Sequence, residues 1–108
     1  MERTREEKMA IAETILAQLG GQKFKVMTGA KEIFAVENGL SLRLPASGEW
    51  RRRGINYIRI TLEPTDTYKM EFKRIRGHKV TDIAEHSMIY DHMLQSIFTA
   101  ETGLDTHL

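Results

Sequence analysis

The stretch Asn56-Tyr57-Ile58-Arg59-Ile60-Thr61-Leu62-Glu63-Pro64-Thr65-Asp66-Thr67-Tyr68-Lys69-Met70-Glu71-Phe72 decides the fold class. On both sides of Glu63-Pro64-Thr65-Asp66 the apolar and polar residues alternate with period 2, the pattern of strands with one buried face. Ile58, Ile60 and Leu62 share a face with Tyr68, Met70 and Phe72, while Tyr57, Arg59, Thr61, Lys69, Glu71 and Lys73 take the other. Pro64 already holds the φ that a turn needs at its second position. Pairing Leu62 with Tyr68 across the turn sets Ile60 opposite Met70 and Arg59 opposite Glu71, an ordinary cross-strand charge pair. The predicted strands are Asn56–Leu62 and Thr67–Ile75. Ile75 breaks the alternation, which reads as a bulge near Lys73-Arg74 or as the strand leaving the sheet.

Upstream of this hairpin, Ile33–Val36 and Leu40–Leu44 flank Glu37-Asn38-Gly39, where Asn-Gly accommodates the positive φ of a tight turn. Leu40, Leu42 and Leu44 then face the core and Ser41 and Arg43 face outward. Phe24-Lys25-Val26 reads as a first strand, ended by Thr28-Gly29. Before it, Ile11, Ala12, Ile15, Leu16 and Leu19 recur at helical spacing over Thr4–Leu19. Thr4 and Glu7 form a capping box at its start, and Gly20-Gly21 mark its end. Downstream, Val80–Ile83 reads as a short last strand. Ser87–Thr102 reads as a helix with Ile89, Tyr90, Met93, Leu94, Ile97 and Phe98 in one apolar stripe and Gly103 as its stop. The order is helix, antiparallel meander of five to six strands, helix: an α+β domain with both helices on one face of the sheet and the other face left to solvent or a partner. Ile15, Leu16, Ile60, Met70, Leu94 and Phe98 are the predicted mutual core, and Met9, Met70 and Met93 are read as inward-facing core filler.

At 108 residues and 12.4 kDa the chain makes a single domain, with no room for a second module. It has no cysteine, which excludes disulfide scaffolds, thiolate metal sites and cysteine nucleophiles. The charged start and the lack of any long apolar run set the expectation of a chain that is neither exported nor membrane-spanning, placed in the cytoplasm. The net charge is only +1, yet its distribution is uneven. Trp50–Lys79 carries a net +6, whereas Val80 onward has no Lys or Arg and a net −5. Either the acidic tail packs beside the basic segment and partly neutralises it, or the two form separate faces.

Motifs for chemistry are sparse. His86 and His92 are six residues apart and would occupy different faces of a helix, and His78 and His107 add no metal-ligand spacing. Ser87 and Ser96 lack a nucleophile elbow. Thr28-Gly29-Ala30-Lys31 does not match a phosphate-binding Walker loop. No cofactor and no catalytic residue is assigned, and the chain is read as a binding protein. The candidate binding residues are Trp50, Arg51, Arg52 and Arg53 in the loop Pro45–Gly54, with Arg43, Tyr57, Arg59, Lys73, Arg74 and Arg76 on or beside the outward sheet face. Adjacent arginines held in solvent offer planar forks for phosphate or carboxylate, and an indole suits stacking or a protein pocket. Against this stands a solvated loop with Trp50 folded over the edge of the core. Two sheet edges and a thinly covered face in so small a domain also point to self-association.

Met27-Thr28-Gly29-Ala30-Lys31, Asn38–Leu44, Asn56–Leu62, Asp66–Phe72 and the ending Thr102–Leu108 resemble a family of small, largely uncharacterised proteins encoded by bacteriophages and other bacterial mobile elements. The resemblance carries no catalytic residues. It implies a cytoplasmic accessory protein in a bacterial host cell. Such a protein would be an anti-defence factor that either inhibits a host immune protein or sequesters an anionic nucleotide signal. The alternative is a nucleic-acid-binding accessory protein that uses the 50–53 loop and the strand Thr67–Ile75.

Overall fold

The computed structural model describes residues 4–45 and 54–104. Helix α1 spans Arg5–Leu19, α2 Gly21–Thr28 and α3 Leu94–Thr102; the strands are β1 Lys31–Val36, β2 Gly39–Arg43, β3 Tyr57–Leu62, β4 Tyr68–Arg76 and β5 Lys79–Ile89. The five strands form one antiparallel meander in the order β1-β2-β3-β4-β5. The α+β class is as read from the sequence, with the helices together on one side of the sheet.

Helix α1 starts where its cap predicts: the Thr4 side chain accepts from the Glu7 N–H at 3.1 Å, and Glu6 and Glu7 lie at the positive end of the dipole. Gly20 and Gly21 end it with φ of 130° and 60°, values that side chains rarely tolerate. The chain then turns directly into α2, so the expected strand Phe24-Lys25-Val26 is a helix. The burial explains the difference. A strand would put Phe24 and Val26 on one face, but Phe24 is fully buried and Val26 is 71% exposed. The buried pair is Phe24 and Thr28, four apart, and the Thr28 hydroxyl donates to the Phe24 carbonyl at 2.7 Å. Gln22, Lys23, Lys25 and Met27 are good helix formers, and so short a stretch carries too little periodicity to separate helix from strand. The Phe24 ring packs edge-on against Phe98 of α3 with centroids 5.0 Å apart.

The hairpin reading holds in register. Ile60 faces Met70, Arg59 faces Glu71 and Leu62 faces Tyr68. Asn38 supplies the positive φ (59°) of the β1–β2 turn. Gly39 is instead the first residue of β2, where a Cβ would run into the Ile60 carbonyl of β3.

The second correction concerns β5. The short strand expected at Val80–Ile83 is the longest in the sheet, and the helix expected from Ser87 begins only at Leu94, after a 3-10 turn at Asp91–Met93. Ile89 is buried through pairing with Tyr68 of β4, and Tyr90, expected on the helical stripe, is 54% exposed. Ile89, Met93 and Ile97 are spaced so that a helix explains them as well as a strand end followed by a helix does. Pairing decides the matter, because β5 covers the hydrogen-bonding edge that β4 would otherwise leave bare. The irregularity predicted near Lys73-Arg74 belongs to the partner strand. The β4–β5 register shifts between Phe72 and Lys73 and again between Tyr68 and Met70, each time with an extra β5 residue, and Met88 takes φ 56° at the second shift.

The core lies between sheet and helices. Leu40, Leu42, Ile58, Ile60, Met70 and Phe72 pack under Ala12, Ile15 and Leu19 of α1, Phe24 of α2, and Leu94 and Phe98 of α3. Of the predicted core, Leu16 is only partly buried, and Met9, expected to face inward, is 47% exposed. Further ties close the helical layer: Gln95 donates to the Leu19 carbonyl at 2.9 Å, and His86 of β5 meets Glu101 of α3 at 2.7 Å.

Candidate functional site

Among the described residues the helices cover one face of the sheet, and the other face is divided by charge. On the β4–β5 side the acidic tail does neutralise part of the basic segment. Lys73 lies 2.9 Å from Asp82 and 3.6 Å from Glu71, and Lys69 lies 3.0 Å from Glu85. The hydrogen bond to Asp82 holds the Lys73 ammonium above the usual lysine range. Glu71, Asp82 and Glu85 line a cleft of about 220 Å³ there, so this side of the face is acidic.

On the β1–β3 side the balance reverses. Arg43 of β2 contacts Glu32 at 3.5 Å; Glu32 sits at φ 51° in the β1 irregularity that separates Lys31 from Phe34. Arg59 stands opposite Glu71 as predicted but forms no ion pair with it, because Lys73 takes the Glu71 carboxylate. Among the described residues no carboxylate lies within ion-pair distance of Lys31, Arg59, Arg74, Arg76 or Lys79.

Three of these five, Arg74, Arg76 and Lys79, collect where β4 turns into β5, and Lys31 lies at the same end of the sheet on its opposite edge strand. Arg74 and Arg76 end β4, Lys79 begins β5 after the exposed Gly77-His78 turn, and Lys31 begins β1. The Asn56 side chain fastens this end: its amide donates to the Ile75 carbonyl at 2.9 Å and its oxygen accepts from the Ile75 N–H at 2.8 Å. One carboxamide therefore takes the place of a peptide group where the β3–β4 ladder stops. Gly54 lies against Arg74, since a Cβ there would come within 3.1 Å of the Arg74 Cδ. Pro45 and Gly54 are both at this end, and Trp50, Arg51, Arg52 and Arg53, which the sequence places between them, lie outside the described residues.

Of the candidates within the described residues, the structure puts Arg43, Tyr57, Arg59 and Lys73 on the open face, while Arg74 and Arg76 share the side of β4 that carries Tyr68, Met70 and Phe72, at the strand's end. Lys73 is tied into the acidic side. Sequence reasoning did not single out Phe34, which is 61% exposed, nor Lys31, Lys79 and Asn56. A signal for Phe34 existed, because pairing across the Asn38 turn sets it opposite outward-facing Ser41. Among the described residues no group of three or more His, Asp or Glu side chains is placed to hold a metal ion, and no helix is long and apolar enough to cross a membrane. Comparison with protein-family models, curated proteins and solved structures returns no match to this chain.

Proposed function

We propose that this chain is a non-catalytic accessory protein of a phage or mobile element, acting in the bacterial cytoplasm as an anti-defence factor that sequesters an anionic nucleotide signal. The observation that carries this reading is the set of Arg74, Arg76 and Lys79 at the β4–β5 turn, with Lys31 across the same end of the sheet, none with a carboxylate partner among the described residues. Arg76 and Lys79 stand opposite each other in the β4–β5 ladder, where like charges repel, and a multivalent anion relieves that repulsion. Guanidinium groups suit phosphate in particular, through paired N–H donors.

A protein purified from bacterial lysate under mild conditions should carry a nucleotide at one per chain, identified by extraction and mass spectrometry. Lys31→Glu, Arg76→Glu and Lys79→Glu combined should abolish that retention. A chain that retains only a host protein, equally with and without the triple change, overturns the reading.

The exposed β4–β5 turn, flanked by Arg76 and Lys79, favours a second reading as a nucleic-acid-binding protein. Salt separates the two, since duplex binding would weaken with a slope near −0.9 per phosphate contacted and would grow with duplex length.

A further inference from the structure

We infer that the open face carries a nucleotide site in which Phe34 and Tyr57 hold the base and Arg43 with Lys31 holds the phosphate. The inference rests on the anion-binding reading above, and places the base and the phosphate on the β1–β3 side, where Lys31 is the cation common to both. Its ground is a pair of adjoining clefts. The first, of about 330 Å³, is lined by Glu32, Phe34, Ser41, Arg43, Tyr57 and Ile75. That volume lies at the lower end of the range for small-molecule sites. The second, of about 220 Å³, is lined by Lys31, Glu32, Arg43, Leu44 and Asn56. Both share Glu32 and Arg43, so one guanidinium stands between an aromatic cleft and a lysine.

The composition of each cleft selects its half of the ligand. Phe34 of β1 and Tyr57 of β3 flank β2, where Phe34 is opposite the small Ser41 and Tyr57 is opposite Arg43, so the two rings sit diagonally across the strand. An aromatic ring exposed to water on a sheet face gains by stacking on a planar base, and every base offers such a face. Ile75 adds apolar surface at the far wall. In the second cleft Lys31 is exposed and has no carboxylate partner among the described residues, while Arg43 is half-buried and only loosely engaged by Glu32 at 3.5 Å. A phosphate there competes with Glu32 for Arg43 and adds Lys31.

The other half of the face limits the ligand's size. Glu71, Asp82 and Glu85 line the cleft between β4 and β5, so a phosphate chain running on across the sheet meets carboxylates. The site therefore takes a free nucleotide and not a long single strand.

The test is isothermal titration of the full chain with ATP, GTP, CTP, UTP and inorganic tripolyphosphate. At least one nucleotide should bind at one per chain, about tenfold or more tighter than tripolyphosphate. Phe34→Ala and Tyr57→Ala should each weaken the nucleotide about tenfold and leave tripolyphosphate unchanged, with circular-dichroism melting curves like the parent's. Arg43→Gln should weaken both probes, and Glu32→Gln should strengthen both. Nucleotides that bind no better than tripolyphosphate overturn the site while leaving the basic-end reading in place. Nucleotide binding without any for tripolyphosphate sustains the aromatic cleft and counts against the basic end. A nucleotide affinity untouched by both aromatic substitutions, a Phe34→Ala change that alters only the oligomeric mass in light scattering, or an oligonucleotide affinity that keeps rising with length also overturns it.

Discussion

Along β3, neighbouring residues meet opposite conditions. Ile58 and Ile60 are fully buried under the helices, whereas Tyr57, Arg59 and Thr61 between and beside them lie half-buried on the open face. The same split runs through β2 and β4, where Leu42 and Phe72 are fully buried while Arg43 and Lys73 stay in contact with water. One set of backbone hydrogen bonds serves both faces, so the inner residues fix the fold and the outer ones are constrained only by register. A domain built this way can change its outward residues, and with them its ligand, at little cost to folding.

The most direct way to break this contrast is to truncate one large side chain on each face. Phe72→Ala empties the space of a fully buried ring beneath the helices and should lower unfolding free energy by about 3–5 kcal/mol. Tyr57→Ala should cost under about 1 kcal/mol. Urea denaturation followed by circular dichroism measures both, and equal losses would mean that the open face is a second core.

A next test concerns a position where the outer row is constrained by backbone contact as well as by register. Gly39 is buried in β2, and a methyl group there meets the Ile60 carbonyl, part of the adjoining strand and unable to rotate away. Gly39→Ala should cost about 1–3 kcal/mol, the range for overpacking. Ser41→Ala, two residues on in the same row, should cost clearly less in the same denaturation series. The reverse ranking would show that the strand can shift to admit a Cβ.

How far the sequence revealed these faces depends on how many signals agreed at each element. The β3–β4 hairpin carried alternation on both arms and a proline turn between them, and its register is the predicted one. α1 carried a cap, a helical stripe and two glycines. α2 had none of these in decisive form, since Phe24 and Val26 fit a strand as readily as Phe24 and Thr28 fit a helix. β5 was obscured by its two bulges, each of which resets the alternation, so that its length is not visible as a period-2 run. The site divides in the same way. Arg43, Tyr57 and Arg59 follow from simple alternation, and Phe34 follows once the Asn38 turn is used to carry that alternation into β1. The pairing of Lys73 with Asp82, and the arrival of Lys31 beside Arg43 past the β1 irregularity, depend on bulges that shift the register, and no local pattern encodes those.

A smaller effect sharpens the role of the sheet's basic end. Asn56 binds both polar groups of the Ile75 backbone, and Asn56→Ala leaves them to find water in a half-buried site. The expected loss is about 1–2 kcal/mol, concentrated at this end. Hydrogen exchange of the Ile75 amide should accelerate while that of Ile60 is little changed. Asn56→Asp keeps an acceptor for the Ile75 N–H and loses the donor, so it should protect that amide better than alanine does. If exchange accelerated alike across the whole sheet, Asn56 would support the fold globally instead of closing one end.

The smallest expected effect separates the faces by the cause of a shared alkaline sensitivity. Burial raises the Tyr68 phenol above its ordinary value of 10.0 on the inner side, and the Asp82 hydrogen bond raises the Lys73 ammonium above 10.5 on the outer side. In both cases the protonated form is favoured more in the folded chain than in the unfolded one. The stability each contributes is therefore complete below pH 10 and fades as the pH rises through the folded-state value. The Lys73 contribution should be at most about 1 kcal/mol, as for an ion pair in contact with water. Salt distinguishes them, because 0.5 M NaCl screens the Lys73–Asp82 attraction and leaves the burial of Tyr68 untouched. Urea midpoints measured from pH 8 to pH 11 should fall with rising pH in the parent chain. Lys73→Met and Lys69→Met together should remove the salt-sensitive part of that fall, since Glu85 raises Lys69 as Asp82 raises Lys73, and Tyr68→Phe the salt-insensitive part. An alkaline loss that vanished with the two lysine changes alone would place the whole effect on the open face and show that the buried phenol contributes nothing to it.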